Sequence, residues 1–419
     1  MRLWVILILV VQLCLTSNAA LADEHASLAR AEQMLTDQPW ADEAAWQVLA
    51  GSGLPLTTPH ADDETLSQVT FAFRGNRDVS AVRLDSVINA PEAAMIVSDY
   101  QRDFTLPLTR LAGSDIWVLT LDVPRDVQAS YSFLVTTTTG THRRTDPANT
   151  RHLRGNDAEA LLIGDRVRGE LAVRPLPPRL QRPPQLNTFD SEALDRTVFL
   201  KIHLAPENPA GAGLLVLYDS FLWGVRAPAW EIVHNLVSQG YIPPTHVVLI
   251  DQLDVTSARH NYADQSAFIA DELLPYLRDE LDLDVRTRDI VLGGASRRGL
   301  AAAITAFERP DAVGAALSLS GSFYWAPDGE PMEWLSRQVD RPEQATARFY
   351  LAAGSLEYVH TSTNRGHVML DTNRRMASRL EAFGYDAEMS IFSGGHDVAA
   401  WRSALAEGLI ALLGEAEEG

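Results

Sequence analysis

The chain has 419 residues, 55 acidic and 35 basic, and a formal charge of −20. A hydrophobic content of 46% excludes a disordered chain, and nothing in the composition is collagen-like or coiled-coil-like. A pI near 4.9 without any basic run argues against nucleic-acid binding and against docking on anionic lipid, and the length suits two or three domains.

Residues 1–22 carry a basic start (Arg2), an apolar run from Leu3 to about Leu15, and Ala20-Leu21-Ala22 as a small-x-small cleavage site. This is the layout of a secretory signal peptide, and the run is short of the roughly 20 residues that span a bilayer. An uncleaved anchor and a lipoprotein are the alternatives, the latter disfavoured by Leu13 before Cys14. The expectation is a periplasmic or secreted protein with a mature start near Asp23 and no stable membrane insertion after cleavage. Cleavage would remove Cys14, the one cysteine, and with it any disulfide or thiolate chemistry. It would also take the formal side-chain charge from −20 to −21.

Residues 26–50 read as a helical lead-in with Leu28, Ala31, Leu35 and Trp40 on one face. From Gln68 the period becomes two: Val69, Phe71 and Phe73; Val82 and Leu84; Trp117, Leu119 and Leu121; Tyr131, Phe133 and Val135. Such alternation between turn signals predicts short antiparallel strands and a small Ig-like (E-set) β-sandwich over 23–170. Residues 171–195, with Pro175, Pro177, Pro178, Pro183 and Pro184, read as a Pro-rich linker. Over 196–419, apolar runs at 197–204, 213–218, 246–251, 289–292, 313–319, 347–353 and 387–392 alternate with helical stretches. This predicts an α/β class with a mostly parallel sheet, helices on both faces, and an α/β-hydrolase fold after the sandwich. A short acidic tail, 415–418, follows the last helix.

Ile290 to Leu300 runs from an apolar strand through Gly293-Gly294-Ala295-Ser296 into a helix. That is the context of a nucleophile elbow, whose serine needs a strained turn with small flanking residues. Gly294 stands two residues before Ser296, but Arg298 replaces the usual glycine two residues after it, with Gly299 one place later. The competing explanation is an ordinary strand–helix turn with a capping serine. His396, in Gly394-Gly395-His396-Asp397 after the last strand, is placed to act as general base and acid. Glu357, after the strand at 347–353, is the expected third member; Asp397, Asp371 and Asp386 are rivals, and a solvated loop charge is the bland reading. The oxyanion donors expected are the N–H of Arg297 and that of Ser220 or Phe221.

With these segments placed, the chain resembles the enterochelin (enterobactin) esterase family, periplasmic or exported branch, an esterase-D-like hydrolase with an N-terminal sandwich. The resemblance rests on Asp219 to Trp230, Leu249-Ile250-Asp251 with Arg259, Glu272 to Pro275, Ser318 to Trp325, and Gly394 to Asp397 with Trp401-Arg402. Upstream it rests on Gly113 to Trp117 and Tyr131-Ser132-Phe133. It implies a serine esterase that opens the trilactone of catecholate siderophores, often as the ferric complex, with Ser296, His396 and an acid at or near Glu357. It implies no cofactor and no separate metal site: any iron arrives with the small-molecule siderophore. Ser220 and Arg298 depart from glycines usual in the family. A ferric tricatecholate is anionic, so Arg259, Arg297, Arg298 and Arg226 are the expected local cations, and Trp223 and Trp325 the expected walls for catechol rings. Lys201, the single lysine, is given no role. The alternatives are an exported esterase for acylated or feruloylated carbohydrate and a non-catalytic siderophore binder.

Overall fold

The structure is a computed structural model. It describes residues 27–414 apart from 90–96, 99–100, 103–104, 112, 156–158, 168, 170–171, 207–208, 210, 252–261, 340–345 and 359–366. The expected signal segment, Arg259 and the acidic tail lie outside the described residues. The chain forms two compact units, one of 1–94, 103–153 and 157–167, the other of 95–102, 154–156 and 168–419.

The first unit opens with helices over 27–37 and Asp42–Gly51, so the lead-in is two helices rather than one. The break falls at Gln38-Pro39, as expected where a proline disfavours helical geometry in the residue before it. Trp40 lies in this break and is 80% exposed, off the buried face to which Ala31 and Leu35 belong. Two antiparallel sheets follow. One orders Leu56–Pro59, Leu66–Arg74, Ile116–Pro124 and Thr109–Arg110. The other orders Gly140–Arg144, Gln128–Thr137, Ala81–Ser86 and Thr105–Pro107, with Ala160–Ile163 also paired to Gln128–Thr137. Alternating side chains meet between them: the Phe71 and Tyr131 rings pack edge to face at 4.9 Å, and Phe73 and Phe133 lie at 5.2 Å. The Tyr131 hydroxyl is satisfied by donating to Asp146 Oδ2 at 2.7 Å while accepting from Asn149 Nδ2 at 3.0 Å.

The second unit is built on eight strands: β1 (Gln185–Ser191), β2 (Arg196–His203), β3 (Gly213–Tyr218), β4 (Thr245–Ile250), β5 (Ile290–Ala295), β6 (Ala315–Leu319), β7 (Arg348–Gly354) and β8 (Asp386–Phe392). They pair in the order β1-β2-β4-β3-β5-β6-β7-β8, antiparallel at β1, β2 and β4 and parallel from β4 onward. The runs read from sequence become strands β2 to β8 within a few residues. The linker reading of 171–195 needs correction: Gln185–Ser191 pairs with β2 along its whole length, from Gln185↔Ile202 to Ser191↔Arg196. It follows Pro183-Pro184 and is an exposed edge strand, so its apolar content is low and its N-terminal prolines cost the ladder nothing.

Period-two alternation sorts the central strands onto two helical layers. Leu214, Val216, Val248, Leu292, Phe349 and Leu351 face one core with Leu300, Ile304 and Leu380 from helices α2 (Arg297–Glu308) and α3 (Met369–Ala382). Leu215, Leu217, Val247, Val291, Leu317 and Tyr350 face the other, with Ile232 and Leu236 from α1 (Ala229–Ser238) and Leu405 and Leu409 from α4 (Val398–Leu413). Each fully buried Leu or Ile contributes roughly 1.5–3 kcal/mol of transfer free energy. Both faces are covered, which is why these strands read as continuous apolar runs. A parallel sheet gathers its C-terminal loops on one edge, and there the candidate site lies.

Candidate active site

The elbow forms although its sequence motif is broken. Ser296 follows β5 and opens α2 with φ 58° and ψ −123°, a left-handed conformation that costs a side-chain-bearing residue of order 1–3 kcal/mol. Three backbone bonds hold it: its N–H donates to Leu319 O at 2.8 Å, and its carbonyl accepts from Ser322 and Leu300, both at 3.1 Å. Its side chain makes no capping bond, contrary to the helix-cap alternative; the hydroxyl lies 3.5 Å from Ser322 Oγ. Two glycines permit the turn. A Cβ on Gly294 would stand 2.6 Å from Arg298 Cβ, and one on Gly299 would stand 2.6 Å from Ser318 Oγ. Gly299 thus gives the close helix–strand approach one place later than the usual pattern.

Arg298 itself is 7% exposed. Its guanidinium lies 5.8 Å from the Tyr218 ring centroid and 3.4 Å from Gln265 Oε1. Burial pulls its pKa below the ordinary arginine value, while the facing Tyr218, Tyr262 and Asp219 favour its charge. Arg298 is therefore a packed part of the elbow's underside, and its place as a substrate-binding surface cation is withdrawn. Arg297 opens α2, where helix geometry leaves the N–H groups without intrahelical acceptors.

The structure joins His396 and Glu357 directly. His396 Nδ1 lies 2.5 Å from Glu357 Oε1. The other carboxylate oxygen accepts from Gly354 N at 2.7 Å and from Ser320 Oγ at 2.8 Å. Trp401 Nε1 donates to the same Ser320 hydroxyl at 2.8 Å, and the Trp401 ring stands edge-on to His396 at 4.8 Å. Glu357 is 5% exposed, far from a solvated loop charge. The rivals fall elsewhere. Asp397 caps α4 by accepting from Ala399 N at 2.9 Å, Asp371 pairs with Arg374 at 3.6 Å, and Asp386 opens β8 at the opposite end of the strand.

The loop after β6 ties the elbow to this pair. Ser320 N donates to Ala352 O and its hydroxyl to Glu357, while Ser322 N donates to Ser296 O. Ser320 was not foreseen; its signal was the serine-rich Ser318 to Ser322 stretch, read only as resemblance. The loops after β7 and β8 are stitched in turn by Ser355 N to Phe392 O and Leu356 N to Gly394 O, both at 2.9 Å. Ser296 after β5, the buried carboxylate after β7 and the imidazole after β8 thus stand on one edge of the sheet.

The loop after β3 separates the two oxyanion candidates. Ser220 N–H already donates to Ile250 O at 2.7 Å, so Ser220 is not an available donor. The N–H of Phe221 makes no backbone bond among the described residues and remains the candidate. Asp219, at φ 72°, turns the chain, and its carboxylate accepts from Leu222 N at 3.0 Å. Lys201, dismissed from sequence, braces the loop: its Nζ donates to Ser220 O at 3.2 Å.

Of the two expected ring walls, Trp223 is a core residue instead. It lies in a π-wound turn, Leu222–Arg226, and is fully buried among Leu217, Leu249 and Ala227. The dense loop sequence gave no period to tell core from cleft. Trp325 is half-buried, with Tyr262 edge-on at 4.7 Å and Trp334 at 6.2 Å. The Trp325 backbone N–H donates to Ser322 O at 2.9 Å, and Ser322 N donates in turn to Ser296 O, so this residue stands beside the elbow. Burial pushes the Tyr262 hydroxyl up to about 12, keeping it neutral. Among the described residues no group of three or more His, Cys, Asp or Glu side chains could hold a metal ion, and no helix is long and apolar enough to cross a membrane.

An eight-stranded sheet of this order, with an elbow after β5, a carboxylate after β7 and an imidazole after β8, defines an α/β-hydrolase. The chain belongs to the Esterase family, whose model matches residues 191–412, and the Enterochelin esterase, N-terminal model matches residues 68–162. It is similar to the iron(III) enterobactin esterase of Dickeya dadantii (strain 3937), 26% identical over 91% of this chain and 95% of that protein. It is also similar to the iron(III) salmochelin esterase of Escherichia coli O6:H1, 26% identical over 88% and 93%. The crystal structure of the enterobactin esterase from Shigella flexneri in the presence of enterobactin shares the fold, with a TM-score of 0.70 and 22% identity over 88% of this chain and 97% of that one.

Proposed function

We propose that the chain is a serine carboxylic-ester hydrolase that opens the trilactone of catecholate siderophores such as enterobactin, the ferric form included, for iron release. The observation that carries the chemistry is the 2.5 Å contact between His396 Nδ1 and the buried Glu357 carboxylate, on the sheet edge that bears Ser296. The substrate class rests on the names of the relatives that match both units. With Nδ1–H donating to Glu357, His396 Nε2 is the proton acceptor. Ser296 Oγ loses its proton to Nε2 and attacks the ester carbonyl. The N–H groups of Arg297 and Phe221 receive the oxyanion, each worth about 3 kcal/mol to the transition state. His396 returns the proton to the departing serine hydroxyl of the trilactone, then activates water to release the acyl group from Ser296. Tyr262, Trp325 and Trp334 supply aromatic surface for catechol rings beside the elbow.

The test is incubation of the purified chain with enterobactin and with its ferric complex, and identification of products by mass spectrometry. Linear trimer, dimer or monomer is expected. No product from either, with Ser296 intact, contradicts the proposal, and faster turnover of feruloyl or p-nitrophenyl esters favours the carbohydrate-ester alternative. We also propose export to the periplasm or beyond, supported by the Arg2 start, the apolar run and Ala20-Leu21-Ala22. An N-terminus near Asp23 on the exported protein is expected; recovery of Met1 on all of it would contradict this.

A further inference from the structure

A protein of net charge −20 repels a polyanionic substrate at long range. Of the cations expected beside the elbow, Arg298 is buried and Arg259 lies outside the described residues, which leaves Arg297 and Arg226 there. A different part of the second unit inverts the charge balance. An open cleft of about 830 Å³ lies between α3 and the short helix Trp334–Gln338, lined by Arg337, Arg374, Arg375, Arg379, His367 and Glu333. Four guanidinium groups line it with the Glu333 carboxylate, and Asp371, which pairs with Arg374 at 3.6 Å, is a second acidic neighbour, in a chain with 55 acidic and 35 basic residues.

The cleft is built rather than incidental. Glu333 sits at φ 62°, strained for a residue with a side chain. It accepts from Arg375 through both carboxylate oxygens, at 2.8 and 2.9 Å, and contacts His367 Nδ1 at 2.5 Å. Burial alone would raise its pKa, but Arg375 and His367 hold it below the ordinary value. One carboxylate therefore orders both Arg375 and His367. Arg337 donates to the carbonyl of Met332, and Arg379 donates to that of Val339 at 3.1 Å while lying 4.2 Å from the Phe383 ring. Carbonyls and a ring position these guanidinium groups and leave their charge in place.

The cleft is coupled to the elbow. Asn373, on the first turn of α3, donates to Gly321 O at 2.8 Å, and Leu370 N donates to Glu357 O at 3.1 Å. Glu333 N donates to Tyr324 O at 3.0 Å, and Trp334 N to Trp325 O at 3.1 Å. Arg374 and Arg375 thus begin within one helical turn of the loop that carries Ser320 and Ser322.

We propose that this cleft is the recognition site for the negative charge of the substrate, a polyanionic metal tricatecholate; this rests on the esterase reading above. Its volume lies within the roughly 300–1,000 Å³ of ligand sites, and planar guanidinium groups suit both catecholate oxygens and ring faces. The test measures binding of ferric enterobactin to the Ser296→Ala protein by tryptophan quenching, with and without Arg374→Glu and, separately, Arg337→Gln. Arg374 is half-exposed and pairs only at 3.6 Å with Asp371, so its replacement leaves the core alone. Arg278→Glu, on a helix outside the cleft, controls for net charge.

Arg374→Glu is expected to weaken binding about five- to tenfold at low salt, with the factor falling toward one at 0.5 M NaCl, and Arg278→Glu to weaken it far less. In the Ser296-intact chain, kcat/KM for the ferric complex should fall about fivefold more than kcat/KM for a neutral p-nitrophenyl ester. Equal effects of Arg374→Glu and Arg278→Glu, or a salt-independent loss, would overturn the site. If Ser296→Ala protein binds the ferric complex through these arginines but the intact chain yields no products, the esterase reading fails and the site stands. If products form and affinity ignores the arginines, the reverse holds.

Discussion

Ser296→Ala is expected to lower kcat for ester hydrolysis by about 10⁶-fold, the scale seen when a triad nucleophile is removed, while leaving substrate affinity and the fold intact. The fold survives because the bonds that shape the elbow are backbone bonds. Ser296 N to Leu319 O and Ser296 O to Ser322 N and Leu300 N do not involve the hydroxyl. Alanine keeps the Cβ and so meets the same φ of 58°. Among the described residues, the hydroxyl's one hydrogen bond is the 3.5 Å contact with Ser322 Oγ, which is at the edge of bonding distance. A loss of activity with unchanged thermal unfolding and unchanged ferric-siderophore binding is the expected pattern. Substantial residual turnover would place the nucleophile elsewhere.

Glu357→Gln should lower kcat by about 10⁴-fold with little change in KM, because it enforces the wrong histidine tautomer. The hydrogen bonds around Glu357 decide which way a glutamine amide must point. Gly354 N can only donate to Oε2. Ser320 Oγ accepts from Trp401 Nε1, so its own proton goes to Oε2 as well. That position must remain an oxygen, and the amide NH₂ must face His396. His396 Nδ1 then accepts, Nε2 carries the proton, and the imidazole cannot take the proton of Ser296. Glu357→Asp, which shortens the side chain but keeps the charge, should retain more activity than Glu357→Gln. Equal or greater damage from Asp397→Asn would contradict the assignment, since Asp397 serves α4 as its N-cap.

The fold was legible wherever both faces of a strand are buried. Leu214 to Tyr218 is apolar throughout because helices cover it on both sides, and its bounds were readable to the residue. Gln185–Ser191 was hidden because an edge strand after two prolines carries mostly polar, exposed side chains. The imidazole and carboxylate were legible from chain order, since each must end a parallel strand to share one sheet edge. Residues whose role depends on distant contacts were not. Trp223 and Trp325 look alike in sequence, yet one fills a core and the other stands beside the elbow. Arg298 read as a surface cation because nothing local reveals that Tyr218 and Gln265 cover it. Lys201 and Ser220 meet only when β2 and the loop after β3 are folded together. The α3 arginines carried no sequence signal of a site, because Glu333 and Arg337, which line the cleft with them, come from a separate region earlier in the chain.

The central claim is that Ser296 is a nucleophile activated by His396 and Glu357. The most direct measurement is reaction with a fluorophosphonate followed by peptide mass spectrometry. A single adduct on the peptide containing Ser296 is expected, absent in Ser296→Ala and strongly slowed in Glu357→Gln. An adduct on another serine, or labelling that survives Ser296→Ala, would contradict the account.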